Sequence, residues 1–261
     1  MILVLGSLHW DVVVRAARLP ALDETLPGQD VDYRFGGKGG NQAVAAAACG
    51  ARVAFAGAVG SDDPGARMLA VLDEAGVDRD RVARVAGASG MSVAIETATG
   101  EYGAVVVTGA NAAAMPGELP ADVTIALIQN EVPAAANLAL AHALPPSATL
   151  ILNAAPARGV DATLMARVDV LVVNRVEAAQ MGATAFGAWA TVVTKGADGL
   201  ALHRGDVVTE MPARAVEVVS SHGAGDAFCG ALSAALDAGV SLEDALGAAQ
   251  AHAARHVSTP R

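Results

Sequence analysis

The sequence predicts an α/β protein built on a mostly parallel sheet with helices on both faces. Three observations carry this reading. Short, almost wholly apolar runs rich in β-branched residues recur along the 261 residues, and such runs are strands buried on both faces. Helical patterns with start and stop signals lie between them, and this alternation implies a parallel sheet. Hydrophobic residues make up 53% of the chain but aromatics only 3%, so the interior has to be assembled from Ala, Val and Leu. The length suits one large domain with a substantial core, and residues 1–261 are read as a single domain.

Ile2–Leu5 opens the chain as the first strand. The segment Asp11–Gly37 then alternates like a half-exposed strand pair, and so does Gly90–Gly109, which carries a hairpin signal at Thr99-Gly100. These two are expected to form a small extra sheet, inserted at about 11–35 and 90–108. Between them the glycine cluster "GGKGG" leads into a helix expected to begin at Asn41 and end at Gly50. Val53–Val59 reads as a strand. "DDPGARMLAVLDEAG" reads as a helix with an Asp cap, Pro64 in the first turn and Gly76 as its stop. Thr124–Ile128, Thr149–Leu152, Val168–Val173 and Thr191–Val193 are the remaining expected strands. A helix with Phe228, Leu232 and Leu236 on one side runs to Gly239, and Ser241 with Asp244 has the spacing of a capping box opening the last helix.

Composition removes several function classes. A net charge of -10 argues against a nucleic-acid binder, which needs a basic face. No apolar run reaches the roughly 18 residues of a membrane span, and "MILVLGS" lacks the charged start of a signal peptide. Cys49 and Cys229 each fall in an expected helix, which suits a reducing compartment. A cytoplasmic protein is expected. The only two lysines, Lys38 and Lys195, both fall in glycine-rich turns.

Chemistry is expected beyond the carboxyl ends of the strands, where such sheets bind ligands. In "SSHGAGDAFCGAL" the small residues Gly223, Ala224 and Gly225 precede one acid, Asp226, at the mouth of a helix. The first amides of a helix lack internal partners and favour an anion, and an acid beside them can take a proton from a hydroxyl. The plainer alternative is that Asp226 only complements the helix dipole. "FGGKGGNQ" lets backbone approach a ligand, but it lacks the spacing of a Walker A loop. Asn174 and Glu177 fit either an ordinary cap or a ligand site, and "VVTKGADGLAL" fits a plain hairpin. His252 and His256 have helical spacing, but without nearby acids or cysteines a solvated face is the better reading than a metal site.

Taken in order, these pieces resemble the ribokinase-like sugar kinases, the PfkB family, over nearly the whole chain. "GGKGGNQAVAAAACGA" and "GAGDAFCGAL" are similar to the family's two signatures, with "NRVE" and "TKGADG" between them. "GANAAA" and "NAAPAR" are closest to the ribokinase branch. The resemblance implies a three-layer sandwich with a small β lid, and transfer of the ATP γ-phosphoryl to a hydroxyl of a small carbohydrate. It implies Asp226 as general base, with Gly223, Ala224 and Gly225 as the anion hole. Asn174 and Glu177 would hold Mg²⁺ through water and place the phosphates of the nucleotide. Thr194, Gly196, Gly199 and Gln250 would line the nucleotide, and His9, Asp11, Gly37, Lys38, Asn41 and Glu131 the sugar.

Departures from the family pattern shape further expectations. His9 stands where ribokinases usually carry Asn, followed by Trp10, which puts ribose itself in doubt. Ser220 and Ser221 replace a usual Asp-Thr, and the chain stops at Arg261, so strong K⁺ activation is not expected. The stretch between Met181 and Thr191 is short, which suggests a reduced peripheral helix. A homodimer through the lid is expected, using Val12–Val14 and Val105–Val107. Two other readings stay open: a nucleoside kinase, with His9 and Trp10 stacking on a base, and a catalytically silent sugar sensor.

Overall fold

The structure, a computed structural model, describes residues 1–99, 101–182 and 188–259. In chain order its first strands are β1 (Ile2–Leu5), β2 (His9–Ala16), β3 (Asp30–Gly36), β4 (Val53–Gly60), β5 (Asp78–Val85), β6 (Met91–Thr97) and β7 (Tyr102–Val107). They are followed by β8 (Ile125–Gln129), β9 (Thr149–Asn153), β10 (Val170–Asn174), β11 (Ala190–Thr194), β12 (Leu200–Arg204) and β13 (Val207–Met211). The helices are α1 (Lys38–Ala48), α2 (Asp63–Glu74), α3 (Ala134–Ala143), α4 (Ala162–Arg167), α5 (Arg175–Met181), α6 (Ala224–Asp237) and α7 (Leu242–Ser258).

Nine strands form the main sheet in the order β13-β12-β11-β10-β9-β8-β1-β4-β5. Pairing is parallel from β10–β11 through to β4–β5. At one end β12 pairs antiparallel with both β11 and β13, so among the described strands of this sheet β12 alone is reversed. Side-chain alternation along each strand divides the interior into two cores. Ile2 and Val4 of β1 face α1, α2, α6 and α7, while Leu3 and Leu5 face α3 and α4. Alanine-rich helices lie close on the sheet, and Phe55 is the bulkiest fully buried side chain.

The chain leaves β1 on one side toward β4 and returns on the other at β8, so β1 and β8 flank a topological switch point. Ligands of open α/β sheets bind just outside such a point. Gly6 and Ser7 follow β1, Asn130 and Glu131 follow β8, and Asn153, Asn174 and Thr194 close β9, β10 and β11. The second sheet, β3-β2-β6-β7, adjoins this edge, since β2 begins soon after β1 ends and β3 ends just before α1.

Several expectations are adjusted. α1 begins at Lys38, not at Asn41, because Gly37 turns the chain at φ 85. Its first amide is capped from afar: the Lys38 N–H donates to Glu131 Oε2 at 2.9 Å, so no local residue signals the start. Val168 terminates α4 rather than opening β10. β5, "DRDRVARV", escaped the sequence reading because its charges suit an exposed edge strand rather than a buried one. Cys49 is the cap of α1, while Cys229 is buried inside α6. Thr99 lies in the turn expected there, and Gly100 is outside the described residues, as is most of the short stretch after Met181.

Register separates the two faces of the small sheet. His9, Asp11 and Val13 alternate with Trp10, Val12 and Val14 along β2. Through its cross-strand neighbours, the second face gathers Val31, Tyr33, Val93 and Val105, all exposed. Val13 is buried and Val12 and Val14 are half-buried. Val12 and Val14 of the run that the sequence suggested thus lie on this face but are half-buried, Val13 points to the other side, and Val105–Val107 are exposed.

Candidate active site

The site is organised by the N-terminus of α6. Gly223 takes a left-handed conformation, φ 73, which the peptide needs to turn into the helix and which favours glycine. No side chain caps this end. The Ala224 amide reaches Ser221 O at 3.3 Å, and the Gly225 and Asp226 amides have no backbone acceptor among the described residues. A Cβ on Gly225 would point into open space. These donors therefore face outward at the positive end of a helix of 14 residues.

Asp226 is only 8% exposed. Burial pushes its carboxyl above the ordinary range, opposed by the Lys38 ammonium and by hydrogen bonds from Gln42 and Asn41, and assisted by the Glu131 charge. Burial alone would lower Lys38, yet Asp226, Glu131 and Glu177 together hold its ammonium above the usual value. Glu131 is anchored by the Lys38 amide and by the hydroxyl of Ser7. Lys38, Asn41 and Glu131 thus share one electrostatic cluster with Asp226.

Two cavities meet at this helix end. A larger one, about 490 Å³, is lined by Thr194, Gly196, Gly199, Gln250, Ala224 and Gly225 among others. Of the six residues that the resemblance assigned to the nucleotide, Thr194, Gly196, Gly199 and Gln250 fall on it, while Asn174 and Glu177 do not. A smaller one, about 140 Å³, is lined by Lys38, Asn153, Asn174, Glu177 and Gly223 through Asp226. Thr194, Ser221, Ala224, Gly225 and Phe228 line both.

Asn174 and Glu177 form a reciprocal cap on α5. Glu177 Oε2 accepts from the Asn174 amide and Asn174 Oδ1 from the Glu177 amide, each at 2.8 Å. The ordinary capping that the sequence left open is therefore present, and Glu177 Oε1 is not used by it. Asp11 is oriented by the Ser92 hydroxyl at 2.6 Å and lies over Gly36, where a Cβ would fall 2.0 Å from Asp11 Oδ2. His9 is buried beside the Gly37 turn. Trp10 lies on the opposite face of β2 under the Arg67 guanidinium, 5.9 Å from the ring centre. His9 and Trp10 therefore cannot stack together on one base. His252 and His256 contact Cys49 Sγ and His222 O respectively, and no cluster of metal-ligating side chains occurs among the described residues.

A match to the model for "pfkB family carbohydrate kinase" spans residues 1–260. The chain belongs to the pfkB family of carbohydrate kinases. It is thus a phosphotransferase with an alcohol group as acceptor. Among curated members of the family, a ribokinase from Bacillus subtilis is 34% identical over 94% of this chain and 88% of its own. One from Lactococcus lactis is 32% identical over 93% of this chain and 86% of its own. The structure of Arabidopsis thaliana ribokinase complexed with ribose and ATP superposes with a TM-score of 0.91, at 28% identity, covering 100% of this chain and 93% of that one. The family's ribokinase-like fold, a mixed α/β body with a small β lid, is the fold described above.

Several residues of this pfkB-family site were not singled out from the sequence. Gln42, Gln129 and Asn153 are buried polar side chains; Gln42 donates to Asp226 and links the other two to it. A signal existed: Gln42 interrupts an alanine-rich helical face, and Gln129-Asn130 abruptly ends an apolar strand. Asn111, inside the "GANAAA" stretch, has a role that no local pattern encodes. It holds the Leu8 backbone from both sides, accepting from its amide and donating to its carbonyl, each at 2.9 Å.

Proposed function

We propose that the protein transfers the γ-phosphoryl of ATP to a hydroxyl of a small sugar of the ribose type. The observation that carries this is a buried carboxylate, Asp226, in the same first turn as outward-facing helix amides, with Lys38 beside it. Asp226 removes the proton of the acceptor hydroxyl. The hydroxyl oxygen forms a bond to the γ-phosphorus, the bond from that phosphorus to the bridging oxygen breaks, and ADP leaves with the electron pair. Gly223, Ala224 and Gly225 supply a backbone surface on which charge on the moving phosphoryl group is stabilised. Lys38 adds a fixed positive charge. Thr194, Gly196, Gly199 and Gln250 border the nucleotide, and His9, Asp11, Gly37, Asn41 and Glu131 border the sugar.

Asn174 and Glu177 offer oxygen donors of the kind Mg²⁺ prefers, on the cavity that also holds Asp226. They would hold the ion through water, where it would neutralise phosphate charge. Supporting the sugar reading over the nucleoside reading, Trp10 points away from His9, so the expected base-stacking pair does not form. We place the enzyme in the cytoplasm, where ATP is available and both thiols stay reduced.

An ADP-release assay over a panel of pentoses, hexoses and nucleosides tests the assignment; sugars should outpace every nucleoside. Asp226→Asn should lower turnover by about 10²–10⁴-fold, the usual contribution of a general base, with sugar binding retained. Wild-type protein that binds sugar but turns over nothing in the panel would make it a sensor instead.

A further inference from the structure

We propose that Gln42 and Gln129 are positioning residues, a pair of amides that fixes the orientation of the Asp226 carboxylate for catalysis. The inference deepens the kinase assignment and rests on Asp226 being its base.

A glutamine amide has two N–H donors and one carbonyl acceptor. Gln42 is fully buried and uses all three. Its Nε2 donates to Asp226 Oδ1 at 2.9 Å and to Asn153 Oδ1 at 3.0 Å. Its Oε1 accepts from Gln129 Nε2 at 2.7 Å. Asn153 cannot reverse these roles, because its own Nδ2 is committed to Val172 O at 3.2 Å. Turning the Gln42 amide over would aim its carbonyl oxygen at a carboxylate and leave the Gln129 donor without an acceptor. The direction of every bond from Gln129 to Asp226 is therefore determined.

Gln129 holds this direction at its own expense. Its Oε1 is buried without a hydrogen-bond partner among the described residues, wedged against Gly6 where a Cβ would come within 2.2 Å. An unpaired buried carbonyl is unfavourable, and the side of the amide that is satisfied is the one facing Gln42. The pair anchors the carboxylate to the main sheet: Gln129 ends β8, Asn153 ends β9, and Gln42 sits on α1. One oxygen of Asp226 is held by this chain, which restrains how the carboxylate is presented to the acceptor hydroxyl.

The charged and titratable groups around Asp226 are Lys38 from α1, Glu131 beyond β8 and Cys229 on its own helix, with Glu177 of α5 on the same cavity. The Gln42 hydrogen bond favours the ionised carboxyl against burial. Its loss raises the carboxyl's pKa further, so the acidic limb of the kcat profile moves to higher pH.

The test compares wild type with Gln42→Leu, the less disruptive Gln42→Met, Gln129→Leu and the Gln42→Leu/Gln129→Leu double variant. It measures kcat, both KM values, the pH profile of kcat and thermal unfolding. A misdirected catalytic group costs about 10- to 100-fold in rate. The Gln42 variants should show that loss in kcat, with both KM values changed by less than about threefold and the acidic limb shifted upward. Gln129→Leu should do the same more weakly and add little to Gln42→Leu, since coupled residues are non-additive. Wild-type kcat and an unmoved limb, with only the melting temperature lowered, would reduce the pair to packing and overturn the proposal. Should both Gln42 variants fail to fold, Gln129→Leu decides by the same two readouts. Asp226→Asn is run alongside. Turnover surviving in it defeats the general-base assignment itself, whereas an inactive Asp226→Asn with normal glutamine variants defeats the positioning role alone.

Discussion

At the scale of single residues, the loop before Asp226 bears on cation dependence. Ser220 and Ser221 offer no carboxylate to a monovalent ion. The carbonyl of Val257 instead accepts from the amides of Val219 and Ser220, at 2.8 and 3.2 Å, and His256 Nε2 lies 3.1 Å from His222 O. The last turn of α7 thus fastens the loop through protein contacts, and we propose that no monovalent ion is needed to order it. Replacing K⁺ by tetramethylammonium should leave turnover within about twofold, since no charge–charge interaction is being removed. A large loss of activity would show that an ion is needed after all. Asp226, Asn174 and Glu177 were legible as candidates from sequence because each sits at a helix mouth, where chemistry and local spacing coincide. Gln42 and Gln129 were not. Their importance lies in contacts between α1, β8 and α6, which are far apart along the chain, and no local pattern encodes such a meeting.

At the scale of elements, the approach of α6 to α1 sets whether Gln42 reaches Asp226. Gly230 lies one turn beyond Asp226 on the same face of α6. A Cβ there would come within 2.6 Å of Gln42 O and of Ala45 Cβ, contacts that backbone cannot relieve without moving. Gly230→Ala should therefore separate the helices, costing about 1–3 kcal/mol in denaturant unfolding as overpacking does, and it should lower kcat as well. Unchanged stability would mean that the helices are less tightly apposed than described. The apolar strands were legible because their periodicity is strong. The charged edge strand β5 and the start of α1 were not, because exposure hides the first and a distant carboxylate caps the second.

At the scale of the whole molecule, the small sheet has two unlike faces. One presents His9, Asp11 and Ser92 over the body, and the other exposes Val31, Tyr33, Val93 and Val105. A contiguous exposed apolar face of this kind marks an interface, and we propose that it joins two copies of the chain lid to lid. Sedimentation at micromolar concentration should find a dimer, and Tyr33→Asp with Val105→Lys should shift it to monomer. A wild type that sediments only as monomer would rule the interface out. From sequence, alternation revealed that this sheet exists. Which of its valines are covered depends on the register of four strands, and that required the fold.

The wall shared by the two cavities has a pharmacological corollary. Because Thr194, Ser221, Ala224, Gly225 and Phe228 border both chambers, the cavity proposed for the nucleotide adjoins the one lined by Lys38 and Asp226. A single inhibitor with an adenosine head, a short oligophosphate tether and a sugar tail could occupy both at once. Tethering makes the second docking step intramolecular, so such a compound should bind far more tightly than either half, and tether length would report how far apart donor and acceptor are held.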